Sequence, residues 1–229
     1  PSEFHRSNLA IGEDFLRRVV PAIAARAPEL ADENTNTTTD VTELLNLYLF
    51  INGELRRQNN STISAIAENT AEHRLWEEPF RQLENSQVES RFADHRVYSH
   101  QGREIDQQVH LGFDLASTTN AAIHASNTGR IVFANYLGIY GNCIIIDHGM
   151  GLQSLYAHLS SIDVSVGEEV KRNDPIGLSG QTGLAGGDHL HFSLLLHGQP
   201  VTPVEWWDEH WIEDRIHRKL REASTQTPG

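Results

Sequence analysis

The spacing of apolar residues divides the chain into two parts near residue 92. In the first part, apolar residues recur at three- and four-residue steps, which is the period of one helix face. They do so over residues 15–23, 41–51 and 63–76. Asp40 and Glu43 have the spacing of a capping box, so the second helix is predicted to begin there. Residues 1–91 are therefore predicted to form a helical N-terminal region.

After residue 92 the pattern changes to short apolar runs separated by glycines, which is typical of β-strands joined by tight turns. The runs lie at residues 130–134, 143–146, 152–156, 175–178 and 190–196. They predict a mostly antiparallel β-sheet, and residues 204–223 are predicted to form a C-terminal helix. The expected fold class is α+β, with a helical region at 1–91 and a β domain at 92–229 that ends in this helix.

Composition and charge narrow the classes of partner. The chain has 229 residues, of which 38% are hydrophobic, and a formal net charge of −13 at pH 7. A surface this acidic repels nucleic-acid phosphates and anionic lipids, so neither is expected as a partner. No apolar run reaches the roughly 18 residues of a membrane span, so none is expected within this chain.

The start of the chain and its cysteine add two smaller expectations. The sequence begins at Pro1 without a signal-peptide pattern, so it is expected to be a piece of a longer precursor. The single cysteine, Cys143, lies in the apolar run CIII and can form no intramolecular disulfide. We expect a buried, structural thiol.

Three short motifs in the β part carry the candidate chemistry. They are HLGFD with His110 and Asp114, LYAHL with His158, and DHLHF with His189 and His191. A mononuclear zinc hydrolase needs two imidazoles and a carboxylate for the metal, and further imidazoles to move protons. Each motif is common by itself, whereas their joint occurrence on alternating strands is far more specific.

Strand alternation predicts how these residues point. Side chains two positions apart share a face, so His189 and His191 should project together while Leu190 and Phe192 enter the core. In the same way, His110 and Asp114 should share a face of one strand. The intervening Gly112 would leave room there for a metal or substrate.

The remaining histidines do not lie in motifs of this kind, and they are expected to make ordinary surface or structural contacts. They include His95, His100, His124, His148 and His197. His148, in the run IIDHG, is expected to orient a turn through hydrogen bonds.

From Phe92 to Trp207 the sequence resembles the LytM/lysostaphin-type zinc metallopeptidases, which are peptidoglycan endopeptidases. The resemblance rests on the order, spacing and glycines of HLGFDLA, YGNCIIIDHGMGLQSLYAHLS, VGEEVKRNDPIGLSGQTG and GGDHLHFSLLLHGQPVTPVEW. It implies that His110, Asp114 and His191 hold one Zn²⁺ and that His158 and His189 are catalytic.

The resemblance also implies that Arg96 and Asn142 lie near the substrate groove. After Arg96 the sequence continues Val-Tyr-Ser instead of a proline-containing turn, so this groove wall is expected to differ. The implied substrates are peptide stems of peptidoglycan, with D-alanyl–diaminopimelate bridges favoured. The implied location is the periplasm or cell envelope, where a regulatory partner would fit.

Three alternatives follow from the same residues. Some members of this family lose the zinc residues and activate other cell-wall hydrolases, although all five positions are filled here. Two histidines and one carboxylate also hold non-haem iron in oxygenases, but two extra histidines favour hydrolysis. The N-terminal helices are interpreted either as a packing platform or as a cover over the groove.

Overall fold

The structure, a computed structural model, describes residues 5–27, 30 and 38–225. The N-terminal region contains β1 (Arg6–Ala10), α1 (Glu13–Ala24), α2 (Val41–Phe50) and α3 (Arg56–Ile66), with the π-helical segment Ile51–Leu55 joining α2 to α3. The strands that follow are β2 (Gln87–Ser90), β3 (His95–His100), β4 (Arg103–Val109), β5 (Phe113–Ala116), β6 (Ala122–His124), β7 (Gly129–Leu137), β8 (Gly141–Asp147), β9 (Leu152–Leu159), β10 (Ser161–Ile162), β11 (Glu169–Val170), β12 (Pro175–Leu178), β13 (Leu190–Leu196) and β14 (Gln199–Val201). The C-terminal part contains α4 (Val204–Trp207), α5 (Glu209–Ile212) and α6 (Arg218–Thr225).

The first two helices form where the sequence predicts them. Asp40 caps α2, because its Oδ1 accepts hydrogen bonds from the backbone N–H groups of Thr42 at 2.8 Å and Glu43 at 3.1 Å. Among the described residues, the Glu43 side chain does not complete the capping box by bonding back to the Asp40 backbone. Its carboxylate accepts a hydrogen bond from the Thr38 hydroxyl instead. The apolar face of α1 is buried as expected.

Two features of the N-terminal region differ from the prediction. The third helix ends at Ile66 and does not continue to Trp76. Trp76 packs edge-on against Phe80 and Trp206, with ring centroids 5.4 Å and 5.7 Å away, so the chain must leave the helix to reach them. In addition, β1 pairs in parallel with β3, although its largely exposed residues show no apolar alternation.

The predicted antiparallel sheet is confirmed, with strand order β11-β7-β8-β9-β13-β5-β2 and β14 on β13. Every neighbouring pair in it is antiparallel. Two small sheets, β1-β3-β4 and β10-β12-β6, complete the architecture. Strands β12 and β13 have the predicted bounds, and β7, β8 and β9 extend the other predicted runs.

The central strands are buried on both faces. Cys143 and Ile145 of β8 belong to the core shared with the N-terminal helices, whereas Ile144 and Ile146 belong to the core on the other face. This explains the continuous run CIII, and Cys143 is fully buried as predicted. All eight residues of β9, which includes His158, are buried as well.

The C-terminal helix is interrupted. Asp208 has extended backbone angles, ends α4 and caps α5 by accepting from the N–H groups of His210 at 2.8 Å and Trp211 at 3.2 Å. The break lets Trp206 and Ile212 both enter the core. Within the described ranges, every helix is too short or too polar to cross a lipid bilayer.

His148 links the turn between β8 and β9 to the core, and its prediction as a turn-orienting residue is supported by two contacts. Its Nδ1 donates to the Thr128 carbonyl at 2.7 Å, and its Nε2 lies 2.7 Å from Ser154 Oγ. Burial lowers the pKa of His148 from 6.5 to about 4. Folding therefore favours the neutral ring.

This burial predicts an acid-sensitive fold. The stability that His148 contributes is complete above pH ~6.5 and is lost as the pH falls towards ~4, by about 2 to 3 kcal/mol at pH ~4.5. Urea unfolding at pH ~7.5 and ~4.5, with chelator present, should show a smaller loss in His148→Gln than in the wild type. Equal losses in the two proteins would contradict this assignment.

Candidate active site

The register of three strands brings the candidate residues together. In β13, His191 is paired with Asp114 of β5 on one side and with Ala157 of β9 on the other. Leu190 and Phe192 are buried in the opposite core, as the alternation predicts. The site therefore lies on the face of the sheet that the N-terminal helices cover.

His110 reaches the same point from a turn, not from a strand. The prediction that HLGFD forms one strand is wrong, because β4 ends at Val109 and β5 begins at Phe113. The backbone of His110 is held instead by its N–H bond to the Asp94 carbonyl at 2.9 Å and by the Ala93 N–H. The turn still directs the imidazole towards Asp114.

Three donor atoms form a nearly equilateral triangle. His110 Nε2 lies 3.0 Å from both His191 Nδ1 and Asp114 Oδ1, and the last two atoms are 2.9 Å apart. Ligands at the usual zinc distances, on a tetrahedron, would be separated by about 3.3 Å. The buried cluster of His110, Asp114 and His191 can therefore hold a metal ion.

The other ring nitrogens fix the tautomers of these two histidines. His110 Nδ1 donates to the Arg91 carbonyl at 3.0 Å. His191 Nε2 donates to Ser193 Oγ at 3.0 Å, and this hydroxyl donates onward to the Leu111 carbonyl at 2.8 Å. The nitrogens that face Asp114 therefore carry lone pairs, as metal ligands require. Burial also lowers the pKa of His191 to about 4.

The two oxygens of Asp114 have separate partners. Oδ1 faces the histidines, whereas Oδ2 accepts a charged hydrogen bond from Arg96. Burial raises the pKa of the Asp114 carboxyl. The combined effects of His110 and His191 lower it by more, so the pKa lies well below the usual value. Arg96, predicted to lie near the substrate groove, thus contacts this carboxylate directly.

His158 occupies a bulge at the end of β9. The β8–β9 register shifts between Asn142 and Ile144, and His158 has a left-handed φ of 64°. Its Nδ1 donates to the Thr182 carbonyl at 2.8 Å, so Nε2 carries the lone pair. Burial, reinforced by His189 and His191, lowers the pKa of His158 well below its usual value. A bulge is a common way of aiming a side chain at a site.

His189 lies beside His158, immediately before β13. Its Nδ1 donates to the Gly187 carbonyl at 2.9 Å, and its Nε2 lies 3.7 Å from Asp114 Oδ1. The His158 ring centroid is 4.9 Å from that of His189 and 5.8 Å from that of His191. Two further imidazoles, each with an accepting Nε2, therefore flank the donor triangle.

Asn142 supports the bulge. Its side-chain amide donates to the Leu159 carbonyl at 3.0 Å, and its backbone N–H donates to Thr182 Oγ1 at 2.9 Å. Sequence reasoning missed Thr182 and Ser193, which orient His158 and His191. For Ser193 a signal existed, since it lies two positions after His191 and so shares its face.

The N-terminal helices border the site as well as the core. A cavity of about 90 Å³ is lined by His158 and His191 on one side and by Phe15 and Tyr48 of the helices on the other. Arg18 of α1 also donates to the carbonyls of the loop before His189, at 3.3–3.4 Å. The helices are thus both a packing platform and one wall of the cavity.

Residues 108–203 match the sequence model of Peptidase family M23. The chain contains a domain of peptidase family M23. The match includes all five candidate residues, which are His110, Asp114, His158, His189 and His191.

Two curated relatives show the range of this similarity. The chain is 40% identical over 97 residues to the DD-carboxypeptidase/endopeptidase Mpg of Neisseria meningitidis, covering 42% of this chain and 22% of that protein. It is 35% identical over 95 residues to the murein hydrolase activator EnvC of Escherichia coli, covering 42% of this chain and 23% of that protein. The chain thus spans under a quarter of the length of either relative.

Among solved structures, a Pseudomonas aeruginosa protein described as a peptidase M23 is similar over a longer stretch. It is 25% identical, with a TM-score of 0.51, and the match covers 69% of this chain and 61% of that one. The M23 peptidase fold therefore accounts for the β domain described above.

The close packing at Gly112 predicts a loss of metal binding on substitution. A Cβ there would lie 2.6 Å from the Phe192 carbonyl oxygen and 2.8 Å from His191 Cε1. Gly112→Ala should displace His191 and weaken zinc binding by about 10- to 100-fold, measured by competition with a chelating dye. Gly186→Ala is the matched control, because no atom lies within 4 Å of its new Cβ. Unchanged affinity in Gly112→Ala would contradict the geometry.

Proposed function

We propose that the protein is a zinc-dependent endopeptidase that hydrolyses peptide cross-links of peptidoglycan. The observation that carries the proposal is the buried triangle of His110, Asp114 and His191 with two additional imidazoles beside it. Its donor set and spacing fit one Zn²⁺. When bound, Zn²⁺ supplies Lewis acidity that polarises a peptide carbonyl and makes a nearby water more acidic.

His158 and His189 are proposed to handle protons. Each donates its Nδ1 proton to a backbone carbonyl, so each Nε2 can accept a proton from the attacking water or return one to the leaving amine. A protonated imidazole there can also stabilise negative charge on the substrate oxygen. Arg96 holds Asp114 in place, and buried surroundings limit competing water.

The substrate is proposed from the relatives. The Neisseria relative is named a DD-carboxypeptidase/endopeptidase, which supports D-alanyl–diaminopimelate bridges between peptide stems. Such a substrate places the protein in the periplasm or cell envelope, and a regulatory partner there is part of the proposal. The predicted division into 1–91 and 92–229 is retained as two functional parts that share one core.

A second candidate function is activation of other cell-wall hydrolases without catalysis. The relative named a murein hydrolase activator supports it, since it is 35% identical to this chain over 95 residues. The complete set of His110, Asp114, His158, His189 and His191 favours hydrolysis. Digestion of purified sacculi by the protein alone separates the two functions. Release of cross-link cleavage products, identified by mass spectrometry, supports the peptidase; release that requires an added hydrolase supports the activator.

Substitutions should separate the metal residues from the proton-handling residues. His110→Ala should lose zinc, as measured by elemental analysis. His158→Ala and His189→Ala should retain one zinc and lose hydrolysis by at least about 100-fold, because each removes a proton-transfer group. His210→Ala is a control, since its side chain is 97% exposed. Normal turnover in His158→Ala or His189→Ala would refute the roles given to them.

A further inference from the structure

The cavity beside the site has a charged and polar wall that the proposed hydrolysis does not use. Tyr48, Arg56 and Asn60, all from the N-terminal helices, line it opposite His158 and His191. Its volume of about 90 Å³ is several times the roughly 10–15 Å³ that one water needs, so a small functional group fits. The N-terminal helices therefore add charged and polar side chains beside the candidate active site.

Arg56 is held in position without a neutralising carboxylate. Its Nε donates to the Asn52 carbonyl at 3.0 Å, and its guanidinium also donates to Asn52 Oδ1. The Asn52 amide donates in turn to Asp106 Oδ2 at 2.7 Å, which fixes the asparagine. In the described part of the chain, no acidic side chain lies within ion-pair distance of Arg56. This arrangement leaves a positive charge at the cavity.

The backbone around Arg56 is unusual. The π-helical segment Ile51–Leu55 joins α2 to α3 and contains the fully buried Asn52. A π-helical segment inside a helix changes the direction of the side chains that follow it, and such segments are frequent at functional sites. Here it lies directly before Arg56.

Tyr48 and Asn60 add hydrogen-bond donors. The Tyr48 hydroxyl is fully buried and has no hydrogen-bond partner among the described residues. A buried hydroxyl without a partner is costly, so a ligand oxygen would stabilise it. Asn60 Oδ1 already accepts from the Tyr140 hydroxyl at 2.8 Å, so its amide hydrogens remain to donate.

Together these groups form a site that suits an anion with two oxygen atoms. The cavity lining includes Arg56 and Arg96 and, among the described residues, no acidic side chain. Of these two lining arginines, Arg96 is already paired with Asp114, which leaves the charge of Arg56 for a ligand. A planar guanidinium beside a phenol and an amide suits a carboxylate.

We infer that this cavity is a subsite for a carboxylate of the peptide substrate, bound by Arg56, Tyr48 and Asn60. The inference rests on the proposed peptidase function and assigns substrate selection to the N-terminal helices. The carboxylate has two sources in the proposed substrate, the diaminopimelate centre and the C-terminal D-alanine. Either lies close enough along a peptide stem to accompany an amide into the site.

Kinetics of point variants test the subsite in the full chain with zinc bound. Cross-linked peptides are prepared with both carboxylates free, with the diaminopimelate carboxylate amidated, or with the terminal D-alanine amidated. Arg56→Gln should lower kcat/KM by about 10- to 100-fold on the free acid, because one charge-assisted hydrogen-bond pair is lost. On the peptide amidated at the recognised carboxylate, wild type and variant should be equal, which identifies the source.

Further variants separate binding from folding. Arg56→Lys should recover part of the activity, and Tyr48→Phe should lose about 3- to 10-fold in kcat/KM with an unchanged thermal midpoint, because its hydroxyl has no protein partner to lose. Arg57→Gln is the matched control, since Arg57 is exposed and pairs with Glu54 away from the cavity. Equal losses of Arg56→Gln on all three peptides would overturn the subsite. An activity gain would also overturn it, and would indicate that the helices obstruct the groove.

A binding measurement distinguishes failure of the subsite from failure of the proposed function. Calorimetric titration uses N-acetyl-D-alanine and its amide as probes. Tighter binding of the acid that Arg56→Gln removes supports the subsite, even if no cross-link is cleaved. Cleavage of cross-links with no dependence on Arg56 in either assay refutes the subsite and leaves the peptidase function in place.

Discussion

The carboxylate of Asp114 is the point on which the candidate site depends. Its Oδ1 lies within 3.0 Å of both His110 Nε2 and His191 Nδ1, and its Oδ2 binds Arg96. The residue comes from β5, and its partners come from a turn, from β13 and from β3. One buried charge therefore joins four separate segments, and the charged hydrogen bond from Arg96 to Oδ2 offsets part of the cost of burying it.

The main sheet makes that convergence possible. Because β13 lies between β5 and β9, His191 is adjacent to Asp114 on one side and to the bulge of His158 on the other. Both faces of these strands are buried, so the backbone is held firmly on either side of the site. Backbone carbonyls then orient His110, His158 and His189. Main-chain contacts thus orient three of the four histidines of the site.

Local pattern was enough to predict much of this structure, and its failures have physical causes. The period-two pattern of DHLHF placed His191 and Phe192 on opposite faces correctly, because β13 is a regular strand. HLGFD failed as a strand, because His110 makes its backbone hydrogen bonds to Ala93 and Asp94 after β4 has ended, and strand pairing resumes only at Phe113. The bulge at His158 and the strand β1 depend on distant partners, and no local pattern reports those.

The relation between the helices and the site could not be read from the sequence either. The stripe of α1 and α2 predicts a buried face, but it does not say which side of the sheet receives it. In the structure the helices cover the face that carries the histidines, so Tyr48 and Arg56 become part of the cavity wall. The N-terminal helices therefore contribute both to the core and to the cavity wall.

The most direct test of this site is a crystal structure of the zinc-loaded protein with anomalous data at the zinc edge. We expect one ion bound by His110 Nε2, Asp114 Oδ1 and His191 Nδ1, with His158 and His189 beside it and not coordinated. Zinc bound through His189 in place of His191, or no zinc peak between these residues, would contradict it.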